Sequence, residues 1–268
     1  MPGIKVLLIC ICSLACFSEA FSQIDTDRMD SIENSKRIVK RTKTTNNAVL
    51  ISPYYSALIP VGELSNRFGF SNNAGLNISV KVTKNWLIGV EGAYLFGSQV
   101  RENPLIPLST QATGQIIGQD GSLNNIPIQL SGFEISLRVG KLIPISKKHP
   151  NTGIMISLAP GFMQHKILIN ANSNNIPQLN STYREGYDRL TNGPMVSGGL
   201  GYLYLEKKRF LSFYAGLDFA AGFTQERRNW NFDLMSADPH HRLDMLIGIR
   251  LAWVIPVFTN RDSEVYYY

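Results

Sequence analysis

The chain has 268 residues, 44% of them hydrophobic, with a formal net charge of +6 and a mean hydropathy of −0.04. No stretch reaches the roughly 20 consecutive apolar residues that a membrane-spanning helix needs, so helical spans are excluded. A soluble β-protein remains open, as does a β-protein in which only alternate residues meet lipid.

Residues 1–22 read as a secretory signal peptide. Lys5 gives a positive start, and Val6 to Phe17 form an apolar core too short to span comfortably. Ala20-Phe21-Ser22 puts small residues where a signal peptidase reads, which predicts Gln23 as the mature start. The alternative is lipidation at Cys16, although Ser13 stands where a lipobox usually carries a larger apolar residue. Cys10, Cys12 and Cys16 all fall in this leader, so disulfides, thiol catalysis and cysteine-held metals are not expected in the mature chain. Residues 23–48 are polar, acidic first (Asp25, Asp27, Asp30, Glu33) and then basic (Lys36, Arg37, Lys40, Arg41, Lys43). They have no sustained apolar period and read as a disordered tail.

From Val49 onward the dominant period is two, the signature of half-buried strands. In Ala74 to Val82 the even positions are apolar and the odd ones small or polar. Seven further segments follow suit: Val49–Ile59, Trp86–Phe96, Phe133–Val139, Ile154–Phe162, Val196–Tyr204, Phe213–Phe223 and Leu243–Trp253. Eight strands near the roughly 9–11 residues of a tilted membrane strand result. Their connections alternate. Short ones fall at Thr83 to Asn85, Ser146 to Thr152 and Glu206 to Arg209; long ones at Pro60 to Asn73, Gln99 to Leu130, Asn170 to Pro194 and Thr224 to Arg242. Aromatic residues collect at both ends, with Trp86, Phe210 and Trp253 beside short turns and Tyr94, Phe96 and Phe223 beside long loops. A secreted sandwich or lipocalin-like barrel also alternates. In those folds the polar face is outside and charged, whereas here it is rich in Gly, Ala and Ser. The expected fold is therefore all-β, an eight-stranded antiparallel up-and-down transmembrane β-barrel over residues 49–258. Both termini would be periplasmic, and residues 259–268 a C-terminal periplasmic tail.

The inward positions carry Lys81, Glu91, Glu134, Arg138, Asp218, Asp244 and Arg250. Buried charges persist when paired, so these are expected to form a charge network that plugs the lumen. The competing reading is a narrow channel for ions or small solutes lined by the same charges.

Chemistry-bearing constellations are sparse. His165 is expected to point inward with no triad spacing around it. His240-His241 are adjacent on an extended chain and point opposite ways, which disfavours a shared metal. No catalytic residue, cofactor or metal site is expected; a barrel enzyme acting on lipid or peptide is the remaining alternative. Three loop stretches mix arginine, acid and aromatic side chains, the material of packed caps and binding hot spots. Their candidate interaction residues are Arg67 and Phe68; Arg184, Tyr187, Asp188 and Arg189; and Arg227, Arg228 and Trp230.

The mature chain resembles the small OmpA/OmpX-like outer-membrane β-barrel proteins of Bacteroidetes. Arg67-Phe68-Gly69-Phe70, Gly186 to Gly193 and Trp230-Asn231-Phe232-Asp233 resemble a subset of them. The resemblance implies fold and outer-membrane location, and no activity. OmpA-type chains often continue into a peptidoglycan-binding domain; here about ten residues follow the last strand, so none is expected. Either Phe258 or Tyr268 is the expected aromatic signal for barrel assembly. The partners expected are outer-membrane lipid, the barrel-assembly machinery and other outer-membrane or periplasmic proteins, with no nucleic acid. The function expected is a non-enzymatic barrel that displays its long loops, alone or within a larger outer-membrane complex.

Overall fold

A computed structural model describes residues 48–82, 85–146, 149–171, 175–205 and 212–258. The leader, nearly all of the 23–48 tail and the 259–268 tail lie outside the described residues. In chain order the elements are β1 (Ala48–Gly62), the single helical turn α1 (Leu64–Arg67), β2 (Ser71–Val82) and β3 (Trp86–Gly97). Then come β4 (Ile116–Ile117), β5 (Leu123–Asn124), β6 (Ile128–Ser146) and β7 (His149–Ile169). The last are β8 (Thr191–Tyr204), β9 (Phe213–Glu226), β10 (His241–Trp253) and β11 (Ile255–Phe258).

Eight long strands pair antiparallel in the order β1-β2-β3-β6-β7-β8-β9-β10, and β10 pairs back onto β1. The sheet therefore closes on itself and has no free edge of unpaired backbone groups. Register runs from Ser52 through Asn77, Glu91, Ser136, Gly161, Met195, Gly222 and Asp244 and returns to β1 at Gly62. That stagger of roughly ten residues tilts the strands by about 40° and leaves an interior that side chains can fill.

The period of two becomes two faces. On β6, Phe133, Ile135, Leu137 and Val139 face outward, while Glu134, Ser136 and Arg138 are buried inside. The same outward apolar row recurs on every long strand, for instance Leu76, Ile78 and Val80 on β2 and Ile247, Ile249 and Leu251 on β10. Among the described residues no helix is long and apolar enough to cross a membrane.

Strand ends differ from the expected ones. β1 and β2 reach further than their alternation indicates and leave only residues 63–70 between them, with α1 in the gap. β6 and β7 likewise run to Ser146 and from His149, so the expected Ser146 to Thr152 turn shrinks. Polar residues such as Asn72 and Asn73 at the start of β2, or His165 and Lys166 toward the far end of β7, blur the pattern, yet their backbones still need ladder partners. β10 breaks at Val254, and β11 continues its course beside the start of β1. The long loop after β3 holds the small β4–β5 hairpin.

The interior is layered. Toward the short turns, Leu50, Leu87, Leu142, Leu203, Tyr214 and Val254 form an apolar plug. Toward the long loops, Leu64, Phe68, Leu95, Leu130, Met163 and Ile167 belong to a larger apolar core that continues into the loops. Charged side chains lie between.

Candidate functional site: a braced lumen and a knitted loop cap

Four of the seven inward charges meet at one level. Glu91 on β3 accepts from Arg138 of β6 (Nε 2.6 Å, Nη2 2.9 Å) and from Arg250 of β10 (both distances 2.9 Å). Arg250 also donates to Asp218 of β9 at 2.7 Å, and Arg138 stands 3.8 Å from the same carboxyl. The remaining strands join through neutral groups. Tyr54 of β1 donates its hydroxyl to Glu91 at 3.0 Å while its ring lies 3.9 Å below the Arg250 guanidinium. Asn77 of β2 donates to Glu91 at 3.4 Å, and Arg138 donates to Ser157 of β7 at 2.8 Å, which reaches the Gly199 carbonyl of β8 at 3.4 Å. All eight strands are thus tied across the lumen. A methyl group on Gly75 would meet the Tyr54 ring, so glycine there makes the ring's position possible.

Two arginines and two carboxylates balance in charge, which is the condition for keeping such groups dry. Between this brace and the plug below it, a cavity of about 40 Å³ remains.

The other three inward charges stand apart. Glu134 is held by Asn73 at 2.8 Å, above the brace. Lys81 bonds Asn151 near the short turns. Asp244 lies near the long-loop end, where it accepts from Thr224 and pairs with His165 Nε2 at 2.9 Å. His165 is fully buried, with Phe68 packed edge-on at 5.8 Å. No cluster of three metal-ligating side chains occurs among the described residues.

The long loops are tied to one another. Arg67, the last residue of α1, donates to Glu102 at 3.1 Å, to Thr191 at 3.2 Å and to the Arg189 carbonyl at 3.3 Å. Arg189, buried in a left-handed backbone conformation (φ +49°), pairs with Asp233 at 2.6 Å and Glu102 at 3.0 Å. Arg228 grips both oxygens of Asp188 at 2.8 and 2.7 Å and reaches Glu185 at 2.8 Å. Those bonds hold its guanidinium pKa above the ordinary value. Tyr187 and Tyr183 pack against Phe232, at 5.5 and 6.1 Å between ring centroids. Gly186 lets Phe232 lie flush, since any Cβ there would enter its ring. In the last loop, burial pushes the Asp238 carboxyl up, but the His240 hydrogen bond and the Arg242 charge outweigh it and hold it below its ordinary value.

Of the nine loop candidates, Arg67, Phe68, Tyr187, Asp188 and Arg189 are buried within this cap. Arg184 and Arg228 are partly exposed, and Arg227 and Trp230 face outward. Sequence reasoning assigned no role to Tyr54, Asn77, Ser157, Glu102 and Asp233, although Asp233 lies in one of the loop motifs. The first three share the inward parity of their strands, which marks them as lumen residues. The acidic loop partners carry no such signal.

No protein-family model matches the chain, and no curated protein matches it. Among solved structures, it is similar to Ail, the attachment invasion locus protein of Yersinia pestis, described in complex with the heparin analogue sucrose octasulfate. Identity is 8%, coverage 79% of this chain and 97% of that one, and TM-score 0.40. It is also similar to the N-terminal β-barrel domain of Pseudomonas aeruginosa OprF, at 11% identity, 78% and 98% coverage and TM-score 0.36. The barrel itself is established by the closed ladder of this chain.

Proposed function

We propose that this chain is an exported, non-enzymatic outer-membrane barrel whose lumen is shut and whose working surface is its loop cap. In this reading the apolar outer belt faces lipid, the short turns and both termini are periplasmic, and the four long loops are extracellular. The cap serves as a structural or interaction surface, on its own or within an outer-membrane complex. The observation that carries the reading is the pairing of an apolar exterior with a lumen crossed by the Glu91–Arg138–Asp218–Arg250 brace. A conducting pore needs a continuous wet path, whereas here the charged brace sits between two apolar layers.

The test is electrical. Purified protein folded into planar bilayers is expected to insert without measurable current. Stable open-channel steps that persist across preparations would overturn the closed-lumen reading.

A further inference from the structure

Among the described residues, a further cleft lies beside the cap. It lies on the outer flank of the long-loop rim, between the top of β7 and the helical turn Tyr183–Gly186, and encloses about 220 Å³. Lys166, Arg184 and Arg228 meet there with Asp188 and Glu185. The two acids are not shared evenly. Arg228 takes both Asp188 oxygens and also Glu185, while Lys166 stands 3.8 Å from the already doubly bonded Asp188. Among the described residues Arg184 has no carboxylate within ion-pair distance. Its Nη1 donates to the Ile169 carbonyl at 3.2 Å, and its Nε is shut off from solvent with no acceptor. A buried donor left unsatisfied is costly, so such a group points to a missing acceptor.

The height of the cleft narrows the choice of acceptor. Below Lys166 on the outward face of β7 come Gln164 and then Phe162, Pro160, Leu158, Ile156 and Ile154. Phe162 packs on Phe133 at 6.2 Å. Across the ladder from Lys166 is Ser131, whose hydroxyl shares a 2.9 Å hydrogen bond with Tyr94. Phenyl rings below and a tyrosine with its polar tip upward mark the boundary between hydrocarbon and headgroups. Lys166 and Arg184 stand where phosphates of an outer leaflet would lie.

We propose that this cleft binds a phosphate group, supplied by the phosphorylated headgroup of an outer-leaflet lipid. The Arg184 guanidinium and the Lys166 ammonium are its donors, and Arg228 holds the local acids away from it. Charge-assisted hydrogen bonds to phosphate oxygens are the strong class of such bonds. The choice of a lipid source rests on the membrane-spanning reading; the phosphate chemistry does not.

Full-length protein in detergent micelles tests this by native mass spectrometry. The probes are a phosphorylated glycolipid, the same glycolipid dephosphorylated, and inorganic phosphate. Heat-modifiable electrophoretic migration of each sample reports the folded barrel. The expected result is retention of the phosphorylated lipid over its counterpart by about tenfold, a preference lost in Arg184→Gln and weakened in Lys166→Gln while migration is unchanged. Inorganic phosphate bound and lost in Arg184→Gln, with no lipid preference, keeps the phosphate site and overturns the lipid as its source. Equal retention of both lipids without phosphate binding, or a preference that survives both substitutions, overturns the site. Failure of the same folded protein to insert into vesicles would refute the membrane reading separately.

Discussion

The lumen brace and the loop cap are both arginine–carboxylate networks, yet they are built on opposite supports. The brace stands on eight strands whose ladder fixes every Cβ, so its geometry follows from register. Glu91 alone receives two arginines, a tyrosine and an asparagine from four other strands. The cap stands on loops that lack a ladder, and there the ion pairs themselves supply the order. Arg67, Arg189 and Arg228 bind acids and carbonyls contributed by other loops. Loss of one partner should therefore act differently in the two places. It leaves an uncompensated charge inside the barrel, whereas in the cap it frees a loop.

The largest effect is expected from Glu91→Ala. It leaves Arg138 and Arg250 with only Asp218 between them, and breaking a buried ion pair costs about 3–5 kcal/mol. Urea unfolding in micelles, read by tryptophan fluorescence, should register this loss; an unchanged midpoint would show that the brace is slack. Next comes Leu137→Arg on the outward face, which should destabilise the barrel by about 2–4 kcal/mol in vesicles if that face meets hydrocarbon. A soluble barrel would tolerate it, so equal stability in vesicles argues against the membrane reading. Gly186→Val drives a side chain into Phe232 and should cost about 1–3 kcal/mol. Protease should cut the loops faster while heat-modifiable migration of the barrel persists. Concurrent loss of both would mean that cap and barrel unfold together.

The smallest effect is one of pH. Because the Asp238 carboxyl is held below its ordinary value of 3.8, its contribution is present above that value and lost as pH falls through the lower folded value. Loop proteolysis by an acid protease should accelerate across that window in the wild type. Asp238→Asn should remove the pH dependence, and an identical profile in both proteins would dissociate the loop from this group.

Much of the barrel was legible because a strand's parity is unforgiving. A slip of one residue in β6 would exchange Leu137 for Arg138 on the outer face. The same parity placed Glu91, Arg138, Asp218 and Arg250 inside. It did not reveal that Glu134, Lys81 and Asp244 stand at other levels, since height depends on the stagger around the ring. The loop stretches were legible only as composition. That Arg67 finds Glu102, or that Arg189 finds Asp233, depends on chain segments far apart in sequence.

What the sequence determined by itself is the alternation, and with it the two faces, the eight strands and the alternating connections, because a period of two acts locally on each strand. What only the tertiary structure decided is which charges meet. Closure with a stagger of roughly ten residues brings Glu91, Arg138, Asp218 and Arg250 to one height and carries Asp244 up to His165. It also leaves Arg184 beside β7 with a donor and no acceptor, a consequence of how the loop folds back over the rim.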